Sequence, residues 1–162
     1  MLLDDVDAAA KLMASAPGLG WSGGEHPGHL LFPLFSSLLT GTRLDTVSGR
    51  DSDDIGATSD PDAARLVTPE IASLVELAGV SVPKDGKSRV TLLNAMRKAA
   101  EKRIAGVIKN KRRRHYEHAA ALALTCVRID PSGSSTWLAT IRRDYNRYPA
   151  LLRELAKHGQ RA

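Results

Sequence analysis

Four histidines form two pairs whose spacing could support metal binding. His26 and His29 are three residues apart, and so are His115 and His118. Helical residues three apart lie on one face, so two such pairs brought together would offer imidazole ligands to zinc or another transition metal. Pro27 interrupts the first pair, and the His-Glu-x-x-His pattern of zinc proteases does not occur in the sequence. Packed or surface roles are therefore the simpler interpretation of these histidines.

The densest charge on the chain is a basic run in its second half. It comprises Arg97, Lys98, Lys102, Arg103, Lys109, Lys111, Arg112, Arg113 and Arg114. The last four are consecutive, and consecutive helical residues point about 100° apart, so they cannot form one groove-reading face. They do raise the local positive potential, which suits contacts with phosphates. The run predicts either a solvated helix surface or a binding surface for nucleic acid or another acidic partner.

Aromatic residues make up only 4% of the chain, and four of them are candidates for partner contact. Trp21 lies in a glycine-rich loop, whereas Trp137, Tyr145 and Tyr148 follow one another towards the end. Trp and Tyr are enriched at interfaces because each has an apolar ring and a polar group that needs a partner. We predict an exposed apolar groove or patch near the last three. For Trp21 the alternative is packing of its loop on the core.

The sequence shows no combination of residues typical of catalysis. Cys126 is the only cysteine and sits among apolar residues. His118, on the same predicted helix, is about 12 Å away along the axis, and a thiol needs a nearby base or cation to become reactive. No motif requires a cofactor. We therefore favour a binding role without a cofactor over an enzymatic activity.

The composition is typical of one globular domain. The chain has 162 residues, of which 43% are hydrophobic and 25% charged. A single cysteine gives no reason to expect an oxidising compartment. The acidic start at Asp4 and Asp5 is unlike a signal peptide, and no apolar stretch reaches the roughly 18 residues of a membrane span. We expect a cytoplasmic protein with no transmembrane segment; the oligomeric state is open.

The two halves of the chain carry opposite charge. Residues 1–85 contain 5 Lys and Arg against 13 Asp and Glu, which gives a formal charge of −8. Residues 86–162 contain 18 against 5, which gives +13, and a linker near 79–87 joins the halves. This asymmetry predicts either mutual attraction between the halves or a basic surface that serves an acidic partner.

The spacing of apolar residues predicts a single all-α domain with six or seven helices. Its C-terminal half should consist of antiparallel helix pairs, arranged either like an α-solenoid or as an orthogonal bundle. The expected helices span about 4–16, 27–40, 68–78, 88–109, 111–129, 134–146 and 148 onward. Whether Asn110 breaks one long helix or lies inside it stays open. The segment 41–60, rich in Gly, Ser, Thr and Asp, predicts a long loop.

The segment from Tyr116 to Asp130-Pro131, followed by Trp137 to Leu155, resembles one unit of a tetratricopeptide-type repeat. An aromatic three residues before small alanines, an Asp-Pro turn and a second helix carry the resemblance, which covers about a quarter of the chain. The ending 143–151 is similar to the C-terminal helices of larger bacterial helical-repeat proteins of unassigned role. The resemblance implies α-solenoid-like stacking and protein binding rather than catalysis.

Three functions follow from these patterns. The first is a protein–protein interaction module, with another protein or an acidic surface as its partner. The second is nucleic-acid binding through the basic region 97–114. The third is a metal-dependent activity at the paired histidines.

Overall fold

The computed structural model describes residues 6–21, 28–41 and 85–157, and all the regular structure within them is helical. The six α-helices are α1 (Val6–Ala14), α2 (Gly28–Thr40), α3 (Gly86–Lys109), α4 (Tyr116–Ile129), α5 (Pro131–Asp144) and α6 (Pro149–Lys157). A short 3₁₀ turn, Arg113–His115, precedes α4. The all-α prediction is confirmed for these residues. The helix expected at 68–78 and the loop expected at 41–60 lie outside them, apart from Gly41.

The antiparallel helices α3 and α4 form the centre of the bundle. Helix α1 packs mainly on α3, whereas α5 and α6 pack on α4, and α2 contacts both central helices. The predicted apolar stripe of α3 is buried throughout: Leu92, Leu93, Met96, Ala99, Ala100, Ile104, Val107 and Ile108. Alanines at these positions and in α4 allow the helices to approach closely. The core can therefore be built with few aromatic side chains, as the composition indicates.

Helix α3 begins two residues earlier than the sequence indicates. The expected start was 88, but the helix begins at Gly86 and its N-cap is Asp85, whose carboxylate accepts a hydrogen bond from the Ser88 backbone N–H at 2.6 Å. Asp and Ser are both good N-caps. Asp85 is the cap because it directly precedes Gly86, the first residue with helical backbone.

A break after Asn110 separates α3 from α4. The Lys111 N–H donates to the Ile108 carbonyl at 3.0 Å and the Arg112 N–H to the Val107 carbonyl at 2.8 Å, which is the Schellman pattern of helix ends. Lys111 occupies the left-handed position of this motif, with φ of 55°. The expected helix start at Lys111 was therefore wrong. Glycine usually marks this position, and its absence concealed the break in the sequence.

Helix α5 also begins earlier than expected. The sequence predicted an Asp-Pro turn followed by a helix from 134, but Pro131 is the first helical residue and Asp130 is the N-cap. The Asp130 carboxylate accepts a hydrogen bond from the Gly133 N–H at 3.0 Å. Proline suits this position because its fixed φ is helical and its missing N–H is not needed there. An Asp-Pro pair can occur in a turn or at the start of a helix, and here it starts a helix.

The segment after α1 crosses α3 at two glycines. A Cβ atom on Gly106 would lie 2.5 Å from the Gly18 carbonyl oxygen, and one on Gly18 would lie 2.9 Å from the Gly106 Cα. The two backbones are therefore in direct contact. Close by, the Lys102 ammonium donates to the Ala14 carbonyl at 2.8 Å, at the end of α1. This crossing fixes α1 on the surface of α3.

Candidate functional site

An open groove lies between α3 and α5, which are neighbours on the surface of α4. The two helices run in the same direction, because Arg97 contacts Ser134 near the start of α5 and Glu101, one turn further along α3, contacts Trp137, further along α5. The groove has a volume of about 430 Å³ and is open to solvent. Its walls combine acidic, aromatic, small and aliphatic side chains. They are Glu101, Lys102, Ala105, Trp137, Thr140, Ile141, Asp144 and Tyr145.

Trp137 is held in one orientation by two residues of α3. Its indole N–H donates to the Glu101 carboxylate, and the Arg97 guanidinium carbon lies 5.9 Å from the centre of its ring. Arg97 is itself fixed, because it donates to the Asp130 carboxylate at 2.9 Å and to the Ser134 hydroxyl at 2.7 Å. Trp137 remains half-buried. The groove therefore has a wall formed by an aromatic ring whose position is set by several contacts.

Tyr145 forms the other aromatic part of the groove. It is half-buried, and its ring centre lies 6.2 Å from that of the exposed Tyr148. Burial raises the pKa of the Tyr145 hydroxyl, and the neighbouring carboxylates of Asp144 and Glu101 raise this pKa further. Both acidic side chains therefore act on the same part of the groove. The sequence predicted an exposed apolar groove or patch near Trp137, Tyr145 and Tyr148. Trp137 and Tyr145 line this groove and Tyr148 does not, and partner binding there stays a prediction.

Three of the predicted phosphate-binding cations are involved in internal contacts instead. Arg97 joins α3 to the start of α5, and Lys102 holds the end of α1. Arg103 is only 1% exposed and donates to the Gly18 carbonyl at 3.4 Å. The expectation that the basic run forms a solvated or binding surface is therefore wrong for Arg103. A buried guanidinium needs hydrogen-bond acceptors inside the protein, and the Gly18 carbonyl in the segment after α1 is one of them.

The remaining predicted cations are exposed, and four of them form a turn at one end of the bundle. Lys98 projects from the middle of α3, whereas Lys111, Arg112, Arg113 and Arg114 occupy the connection between α3 and α4. Most acidic residues of the segment 1–85 lie outside the described residues. Attraction between the acidic and basic halves therefore stays a prediction.

The histidines do not form a metal centre within the described part of the chain. Nowhere in that part are three or more His, Cys, Asp or Glu side chains grouped suitably for a metal ion. His115 is buried, and its Nε2 accepts a hydrogen bond from Arg114 at 3.1 Å. The His118 ring packs edge-on against Trp21, and His29 is exposed near the start of α2. His26 lies outside the described residues, so a site including it stays a prediction.

Trp21 and Cys126 are core residues. Trp21 is 3% exposed, packs against Phe32 and donates from its indole to the Pro17 carbonyl at 2.7 Å. It therefore anchors the loop after α1, and its predicted contact with a partner was wrong. Cys126 is fully buried, and burial raises the pKa of its thiol to about 12. A thiol with this pKa is a poor nucleophile.

The sequence did not indicate Glu101, Ala105 or Asp144 as site residues. A pattern that could have indicated the exposed face of α3 was present in the sequence. This face is formed by the residues at positions 94, 98, 101, 105 and 109, which follow helical spacing and are all exposed. This spacing identifies the uncovered face of α3. It cannot show that α5 lies beside that face, because their adjacency depends on how both helices pack on α4.

Comparison with known proteins identifies no relative: no family model, curated protein or solved structure matches this chain. Within the three described ranges, none of the helices combines the length and apolar character needed to cross a membrane.

Proposed function

We propose that this chain is a protein–protein interaction module whose α3–α5 groove binds a peptide segment of a partner. The observation that carries this proposal is the pair of aromatic side chains, Trp137 and Tyr145, lining one solvent-open groove. Aromatic side chains held in place are the usual anchors of protein interfaces, because they bury a large area at little cost in conformational entropy. The tetratricopeptide-like resemblance also implies a role in protein binding.

The shape of the groove favours a peptide over a small molecule. Sites for small ligands usually enclose most of the ligand surface, whereas this groove is open to solvent. Ala105 leaves space on α3 opposite the bulkier residues of α5. An extended or helical segment can lie in such a space and insert one or two side chains between the helices.

Selection from a random 12-residue peptide library against the full chain tests the proposal. Peptides that are enriched are then titrated against two matched variants, Ala105→Leu and Ala139→Leu. Both alanines are exposed helical residues, but only Ala105 lines the groove. Leucine is a good helix former, so both variants should fold.

The proposal predicts that Ala105→Leu weakens peptide binding at least tenfold, whereas Ala139→Leu leaves the affinity within twofold of the original. Equal affinities for the two variants would place the binding site elsewhere and contradict the proposal. A selection that enriches no peptide above background would contradict it as well.

A second candidate function is nucleic-acid binding at the turn Lys111–Arg114. The observation that favours it is the exposure of all four cations at one end of the bundle. Such a cluster suits phosphate contacts, whose strength falls steeply with salt. Three of the other predicted cations are involved in contacts within the domain, so the turn would make the main contribution.

Fluorescence anisotropy with short labelled DNA and RNA across a salt series tests this second function. The variant replaces all four residues of Lys111–Arg114 with alanine. The control removes the same charge at the exposed Lys11, Lys87, Arg147 and Arg153. Binding that is lost only in the first variant supports the turn as the site. Equal losses would indicate a general charge effect, and no binding at low salt would exclude this function.

A further inference from the structure

We infer that the α3–α5 groove selects a partner segment by a cationic side chain, arginine or lysine, received between the carboxylates of Glu101 and Asp144. This inference rests on the proposed function and names the chemistry of its partner. It is unexpected from the charge of the chain, because the groove lies within the half that carries +13.

The two carboxylates come from opposite walls of the groove. Glu101 belongs to α3 and Asp144 to the last turn of α5, and both side chains are exposed. Tyr145 lies where both carboxylates act, since each raises the pKa of its hydroxyl in addition to the effect of burial. A positive charge placed beside Tyr145 would therefore interact with two carboxylates at once.

The aromatic side chains of the groove are suited to the same ligand. A cation is attracted to the face of an aromatic ring, most strongly to tryptophan. The chain itself provides an example, because the Arg97 guanidinium already lies over the Trp137 ring. The apolar stem of an arginine or lysine could pack on Ile141 and Tyr145 while its charged group reaches the carboxylates.

Three of the cations near the groove are engaged elsewhere or paired only weakly. The Lys102 ammonium is held at the Ala14 carbonyl, so mainly its methylene stem contributes to the groove. Arg97 is paired with Asp130. Arg143 contacts Asp144 at 3.4 Å, but both side chains are more than half exposed, and ion pairs of this kind are weak. An incoming cation can replace Arg143 at little cost.

The test uses the groove-binding peptides from the library selection. One enriched peptide is synthesised in three forms that differ at its basic residue: arginine, lysine and citrulline. Citrulline has nearly the shape of arginine but no charge. Each form is titrated against the wild type and against the double variant Glu101→Gln/Asp144→Asn. Glutamine retains an oxygen that can accept from the Trp137 indole, so the groove should keep its shape.

We expect the citrulline form to bind the wild type about tenfold or more weakly than the arginine form, as for a charge-assisted hydrogen bond. In the double variant this difference should fall below about threefold. A groove-binding peptide without any basic residue, or a citrulline penalty that persists in the double variant, would overturn the inference. In either case the proposed function would stand, since that depends on the difference between Ala105→Leu and Ala139→Leu.

Discussion

Replacing Gly106 with alanine should destabilise the domain, although alanine is the better helix former. Gly106 lies in the interior of α3, where a Gly-to-Ala change ordinarily stabilises by about 1 kcal/mol. Here the new Cβ would lie 2.5 to 2.6 Å from three backbone atoms of Gly18, whereas ordinary contact begins at 3.4 Å. Backbone atoms cannot rotate away as a side chain can. The segment after α1 must therefore move away from α3 by nearly 1 Å.

This displacement would also strain the contacts that fix α1, namely Lys102 with the Ala14 carbonyl and Arg103 with the Gly18 carbonyl. Overpacking of this kind costs about 1–3 kcal/mol. The clash should lie at the upper end of that range, and the gain in helix propensity offsets about 1 kcal/mol of it. We therefore expect the free energy of unfolding to fall by roughly 2 kcal/mol, which lowers Tm by about 4–8 °C in a chain of this size.

Thermal unfolding followed by circular dichroism measures this effect. Gly86→Ala is the matched control, because Gly86 is also in α3 and a Cβ there would meet no atom within 4 Å. We expect Gly86→Ala to leave Tm unchanged or slightly raised. If Gly106→Ala proved as stable as the wild type or more so, the direct contact between the Gly18 and Gly106 backbones would be refuted.

Three further predictions concern single residues. Lys111→Gly should stabilise the domain by about 0.5–1 kcal/mol, because Lys111 has a φ of 55° that costs a non-glycine residue energy; destabilisation in a urea titration would argue for a continuous helix instead. The Gly133 N–H, Ser132 and Arg97 hold the pKa of the Asp130 carboxyl below its usual 3.8. The ionised carboxylate therefore stabilises the fold above this pH, and that stability should be lost as the pH falls below about 4. The acid limb of a Tm-versus-pH curve should be shallower in Asp130→Asn, and an unchanged limb would contradict the role of this cap. Cys126, with its pKa of about 12, should react with a thiol reagent at pH 8 only after denaturation, and rapid labelling of the folded protein would show that it is accessible.

The helices themselves were largely predictable, because apolar spacing alone identifies the buried face of each one. The stripes on α3 and α4 are buried as the spacing indicates, and Pro149 marks the start of α6. Helix ends were less predictable, since they depend on competition between nearby caps. Asp85 outcompetes Ser88, and Asp130 outcompetes Ser134, for reasons that only the backbone path reveals.

The groove was predictable only in part. The clustering of Trp137, Tyr145 and Tyr148 indicated a region, but no sequence pattern indicates that Glu101 on another helix completes it. The basic run shows the opposite problem. Sequence alone treats Arg97, Lys102 and Arg103 as similar surface cations, whereas the crossing of α1 over α3 and the start of α5 engage all three. Those contacts join residues 33 to 88 positions apart, which local patterns cannot indicate.

The most direct test of the groove as a peptide-binding site is ¹H–¹⁵N NMR of the two indole N–H groups during titration with a library-selected peptide. The chain contains only Trp21 and Trp137, and Trp137→Phe assigns the two signals. Trp21 is buried beside Phe32, whereas Trp137 lines the groove. We expect the Trp137 signal to shift in proportion to bound peptide while the Trp21 signal stays in place. A bound peptide that leaves the Trp137 signal unmoved would contradict the account.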